Sequence, residues 1–169
     1  MKSTIIAVLI AAAVLPSCSK DDNQNNIDNT DRDFASKAWI TNKFEIEVGQ
    51  LAVDKSSNPA IVSFGQQMLS EHQSSRDQLQ VIATDLGLAL PDSLDSESIG
   101  LRAQLVDFNG RAFDSVYIHS QVITHQKAIV VFQTEQNSGR NDRLKNYASE
   151  QLPHLQMHLQ RADSLAATY

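Results

Sequence analysis

The chain has a single cysteine, Cys18, so no disulfide can form within it. Only six glycines and four prolines interrupt its 169 residues, and aromatic residues make up 6%. So few turn formers and aromatics argue against a sandwich or barrel of many short strands, and for helices. Basic charge is short as well. The net charge is −6, no stripe of Lys and Arg is available to neutralise phosphates, and a nucleic-acid partner is not expected. Long apolar runs are equally scarce: the longest, residues 5–15, falls well below the length that spans a bilayer. Two catalytic signatures are missing, the glycine-rich phosphate loop and the Gly-x-Ser-x-Gly elbow.

What is present at the N-terminus has a targeting pattern. Lys2 precedes the apolar run, which ends in Leu15-Pro16-Ser17-Cys18. This resembles a bacterial lipoprotein signal. It implies that residues 1–17 are removed and that Cys18 becomes an acylated, palmitate-type first residue, which leaves no thiol for catalysis. Each buried methylene of such chains contributes about 0.8 kcal/mol, so several chains anchor firmly. The expected location is the cell envelope, most simply the outer membrane, with the membrane as partner through the lipid. Residues 18–31 read as a disordered tether, because Ser19–Asp31 holds one apolar residue among thirteen. Its Lys20-Asp21-Asp22 run resembles a surface-export tag and equally fits any charged tether.

Residues 32–169 read as an all-α domain. Asn58-Pro59 is a helix start and Gly87 a helix stop. Between them Ile61, Phe64, Met68, His72, Ser75, Leu79, Ile82 and Leu86 fall within a wedge about 80° wide on a helical wheel. A first helix is expected from a cap at Thr30–Asp33 to about Lys55, with Ile40, Phe44, Val48 and Leu51 inward. A short helix is expected near Leu94–Phe108, and a third long one from Arg111 to about Asn137. That helix carries Phe113, Tyr117, Gln121, His125, Ala128, Phe132 and Glu135 in heptad spacing. The last, from Asn141 to about Ala167, carries Leu144, Ala148, Gln151, Leu155, His158, Ala162 and Leu165, with Pro153 inside it. The pattern predicts an up-down four-helix bundle with a short extra helix between the second and third long helices.

Three of these apolar stripes contain a histidine. Counting residues from the turns at 1.5 Å each places His72, His125 and His158 at similar heights near mid-bundle, and Glu47 close to them. Imidazole and carboxylate groups on facing helices are how bundles hold metal ions. The candidate ligands are therefore Glu47, His72, His125 and His158, with Glu71, Glu150 and His154 as supporting partners or substitute ligands. One transition-metal ion (zinc, iron, manganese or copper) suits this set. A second reading fits as well: a polar core layer in which the histidines bond to Glu47, Tyr117, Gln121 and Gln151 and fix helix register.

Three segments carry a family resemblance: FEIEVGQLAVDKSSNPAIVSFGQQMLSEHQ, GRAFDSVYIHSQVITHQKAIVVF and YASEQLPHLQMHL. Within them stand Glu47 with Gly49, Glu71-His72, Phe113-Asp114, Tyr117, His125, Leu152-Pro153 and His158. Over about Asp33–Leu165 the chain resembles the DUF4142 family of exported or outer-membrane proteins. The resemblance implies a ferritin-like bundle and an envelope location, and it carries no biochemical activity. The chain departs from di-iron ferritin-like proteins in having no Glu-x-x-His anywhere, so any metal site is expected to be mononuclear and histidine-rich. The leading expectation is an envelope lipoprotein that binds rather than catalyses, in a stress-related or other binding role. The alternative is a metal-dependent redox or hydrolytic enzyme using the same residues.

Overall fold

Asp28 starts the first helix, α1 (Asn29–Lys55), with a reciprocal cap: its carboxylate accepts from the Asp31 amide and the Asp31 carboxylate accepts from its own amide. The computed structural model describes residues 26–169. The segment read as a signal peptide, Cys18 and the first part of the tether lie outside the described residues. The helix begins before the Thr30–Asp33 cap expected from the sequence, because Asp31 is a second anchor rather than tether. Fully buried, it accepts from the amides of Arg140 and Asn141, both at 2.9 Å, and ties α1 to the last turn of the chain.

The other helices are α2 (Pro59–Leu86), α3 (Ser96–Asp107), α4 (Gly110–Ser138) and α5 (Asp142–Ala166), with no strand among the described residues. Asn58 caps α2 through the Ala60 amide, and Pro59 sits at its first turn. Gly87 closes it at φ 64°, a left-handed conformation that only glycine adopts without cost. None of the described helices is long and apolar enough to cross a membrane.

Contacts at the two ends fix the directions. At one end, Tyr169 from the chain terminus accepts from Asn58 (2.7 Å) and donates to Asp114 (3.1 Å), joining the ends of α1 and α5 to the starts of α2 and α4. At the other, Asp31 meets the α4–α5 turn and Arg143 pairs with Asp85 at 2.8 Å. Helices α1 and α5 therefore run one way, α2 and α4 the other. The up-down order expected from the sequence does not hold: the consecutive long helices α2 and α4 are parallel, because α3 and its links span the whole length between them. The connection from α2 to α4 is a crossover along the whole bundle. It starts beside Trp39, which donates to the Pro91 carbonyl, and finishes beside Lys55, which donates to the carbonyls of Leu105 and Val106.

The apolar interior has two parts. One cluster, around Phe34, Ala38, Leu79, Phe132, Leu144 and Tyr147, fills the Asp31 end. The other, around Phe44, Val48, Phe64, Met68, Phe113 and Tyr117, fills the Tyr169 end. Each such buried side chain contributes about 1.5–3 kcal/mol relative to exposure. Between the clusters lies a layer of buried Asn42, His72, Ser75, His125 and His158. Helices α1 and α2 approach most closely at Gly49 and Gly65, where a Cβ on Gly65 would lie 2.8 Å from both the Ala52 Cβ and the Gly49 carbonyl oxygen.

Candidate metal centre

The heptad stripes bring His72 from α2, His125 from α4 and His158 from α5 to one point of the axis. Their rings stand with centroids 5.3–5.7 Å apart, and all three side chains are buried. One nitrogen from each ring lies within 4.8 Å of those of the other two.

The remaining ring nitrogens are held from behind. His72 Nδ1 donates to the Asn42 amide oxygen at 2.9 Å; the Asn42 amide in turn donates to the Tyr147 hydroxyl at 3.1 Å, itself 2.6 Å from Ser75 Oγ. His125 Nδ1 donates to the Gln121 carbonyl at 2.9 Å. His158 Nε2 donates to the Glu71 carboxylate at 2.9 Å, and Gln67 steadies the other oxygen of Glu71 from one turn away. These bonds fix all three tautomers. The bare nitrogens are His72 Nε2, His125 Nε2 and His158 Nδ1, and each is a buried atom that meets no protein donor.

A buried acceptor left without a partner costs about 1–3 kcal/mol. Three of them, lone pairs converging, repel one another until a cation lies between them. Neither His72 nor His158 supplies that cation by taking up a proton. Burial first, and then the neighbouring imidazoles His125 and His158, hold His72 well below the usual histidine range. His158 is pushed down to about 4 by burial and then by His125, against the opposing pull of Glu71. At neutral pH His72 and His158 are thus neutral, lone-pair donors.

This donor set fits a transition metal. Imidazoles oriented by a carboxylate or carbonyl behind them are how proteins prepare histidine ligands, and the trio suits zinc, copper or iron better than the hard, oxygen-seeking calcium or magnesium. Nitrogens on one tetrahedral ion, with bonds of about 2.0–2.1 Å, lie about 3.4 Å apart, so the widest pair has to close by about 1.4 Å at most. Beside His72 and His158 is a cavity of about 10 Å³, also lined by Asn42, Glu71, Ser75 and His154, with room for about one water molecule.

The carboxylate expected in the centre is not there. Glu47 is half-exposed and pairs with Arg102 of α3 at 2.6 Å. The reason is the rotation of α1. Phe44 and Val48 of the expected stripe are buried, but the rest of the buried face is Ala35, Ala38, Asn42, Glu45, Gly49 and Ala52, while Ile40 and Leu51 are only partly buried. Glu71 stands behind His158 as expected, and His154 Nδ1 lies 3.6 Å from the same carboxylate oxygen on the exposed side. Glu150 is exposed, away from the histidines, in a shallow surface hollow with Arg143 and Asn146. Gln151 bonds to Gln78 at the rim. Asn42, Ser75 and Tyr147 support the site and had not been assigned to it. Glu45, fully buried, was also unforeseen; it accepts from Thr124 at 2.9 Å.

The fold has a relative among solved structures, the "DUF305 fragment from Deinococcus radiodurans". It is 8% identical in sequence, matches with a TM-score of 0.75, and covers 85% of this chain and 99% of that one. At that identity the likeness concerns the fold alone. No curated protein matches the chain. The family profile described as "Domain of unknown function (DUF4142)" matches residues 16–165, most of the chain including every histidine of the centre, and the protein belongs to that family.

Proposed function

We propose that this protein is a lipid-anchored envelope module whose helical bundle binds one transition-metal ion through His72, His125 and His158. The observation that carries the reading is the geometry of the imidazoles: three buried rings, each with one nitrogen within 4.8 Å of the other two rings' nitrogens, and each held at one nitrogen and bare at the other. A layer serving only helix register would turn these nitrogens toward donors. Asn42, the Gln121 carbonyl and Glu71 instead each hold one nitrogen of a ring and leave the other bare in the interior. A divalent ion on neutral imidazoles leaves two positive charges in the interior, and the carboxylate of Glu71 behind His158 offsets part of them.

The small cavity favours binding over catalysis on an organic substrate, since it leaves room for a water-sized fourth ligand and little else. The crossover between α2 and α4 supports placing the bundle in the ferritin-like class, where one long connection spans the bundle. A mononuclear centre replaces the di-iron pair of that class here, in keeping with the lack of Glu-x-x-His. The Leu15-Pro16-Ser17-Cys18 pattern supports an acylated Cys18 and attachment to the outer membrane.

Tag-free protein, stripped and reconstituted separately with zinc, iron, manganese and copper, is expected to retain one equivalent of at least one of them by elemental analysis. His72→Ala and His125→Ala are expected to lose it while keeping their helical circular dichroism. Less than half an equivalent with every metal would overturn the reading. Cys18→Ala is expected to shift the protein from the membrane to the soluble fraction, and persistence in the membrane would refute the anchor.

A further inference from the structure

Resting on that reading, we infer that the ion reaches the centre through the seam between α2 and α5, and that Glu71 and His154 form the outer capture site on this route. Among adjacent pairs of long helices, α2 and α5 touch least. What bridges them near the centre is polar: His158 to Glu71, Gln151 to Gln78, and Arg161 to Gln67 and to Ser63 (3.0 Å). Polar bridges of this kind exchange with water and part more readily than interdigitated apolar side chains. Between α1 and α4 a hollow of about 280 Å³ reaches in to Glu45 and Thr124, and there the fully buried Glu45, taking the Thr124 hydroxyl, stands at its inner end.

Among the described residues, Glu71 is the carboxylate that touches both solvent and the trio. Its side chain is 35% exposed, and the same oxygen that takes the His158 proton at 2.9 Å lies 3.6 Å from His154 Nδ1, on a side chain 57% exposed. The water-sized cavity is lined by both of these residues and by both His72 and His158, so it connects the outer pair to the inner ligands. A carboxylate and an imidazole at the rim give an arriving divalent cation two ligands before it sheds its water. His158, one turn along α5 from His154, is the next ligand inward. His154 thus acts on the rate of loading and release and is not a ligand of the resident ion.

The test is stopped-flow loading of apo-protein with Co²⁺, followed by its visible ligand-field absorption, alongside equilibrium titration of the same samples. His154→Gln is expected to slow loading about tenfold, the lower end of the effect of charged clefts on association rates. Release is expected to slow by the same factor, leaving the dissociation constant unchanged, because a group off the final site alters both rates alike. His119→Gln, an equivalent change at an exposed position on α4, is expected to load as the unaltered protein does. Unaltered loading in His154→Gln overturns the route. So does an equilibrium affinity weakened tenfold or more, which would make His154 a resident ligand. Failure of the unaltered protein to take up any Co²⁺, zinc, iron, manganese or copper would instead bring down the metal centre itself, a result distinct from either.

Discussion

Glu135→Gln offers the most direct check on the electrostatics of this bundle, at the end opposite Tyr169. Glu135 is buried on α4 beside Asp31, and burial first, then the hydrogen bond and negative charge of Asp31, push its carboxyl up from an ordinary 4.5 to about 8. The folded state therefore holds a proton that the unfolded chain releases above pH 4.5. Across that window the unfolded state binds fewer protons, so stability falls as pH rises, by about 1.36 kcal/mol per pH unit. From 4.5 to about 8 the loss is on the order of 5 kcal/mol, a large fraction of a domain's total. Glutamine keeps the shape, still donates to Asp31 and never ionises. In urea melts, Glu135→Gln is expected to match the unaltered protein near pH 4.5, to exceed it progressively up to about pH 8, and to hold that margin at pH 9. Comparing the two at each pH cancels the contributions of all other groups. Stability curves that stay parallel from pH 4.5 to 9 would refute the argument and mean that Glu135 ionises freely in the folded protein.

Glu71→Gln removes the negative charge behind His158 while keeping a hydrogen-bond acceptor, and is expected to weaken metal affinity about 10–100-fold in a chelator competition assay. Tyr147→Phe leaves the Asn42 amide without its acceptor and Ser75 without its partner. It should cost about 1–3 kcal/mol in denaturant unfolding and weaken metal binding through the loosened His72. Gly65→Ala places a methyl group 2.8 Å from Ala52 Cβ and the Gly49 carbonyl, and since neither the backbone nor an alanine can turn aside, α1 and α2 must separate. The expected loss is about 1–3 kcal/mol, read as a lower urea midpoint.

The histidine trio was legible in the sequence because it sits on stripes that are otherwise apolar. On α2 and α4 the expected inward residues near the centre, from Ile61 to Leu79 and from Phe113 to Glu135, are buried in the structure. The first helix misled for a physical reason. Its inward face mixes Phe34, Phe44 and Val48 with small and polar residues, the small ones lying where the Gly49–Gly65 contact draws α2 in close. Hydropathy selects Phe44 and Val48, which are buried, but also Ile40 and Leu51, which lean toward the flank where Arg102 of α3 holds Glu47. Asn42 and Glu45 could not be recognised without knowing that rotation. The small residues Ala38, Gly49 and Ala52, spaced by threes, fours and sevens around them, were the available sign. The Asp31 anchor was hidden differently: its partners are backbone amides more than a hundred residues away, which no local pattern reveals.

The polar layer that divides the interior also divides the folding problem. Each half of the bundle has its own apolar nucleus, and beyond the continuity of the helices the halves share little except the ring of imidazoles. An ion held there would be a rivet through all three of those helices, and with Asn42 behind His72 it would bind α1 as well. The loaded molecule would then open as one unit. Stripped, it would have two melting halves with a seam of repelling lone pairs between them, so that hydrogen exchange near His72 would outpace exchange near Phe64 and Leu79.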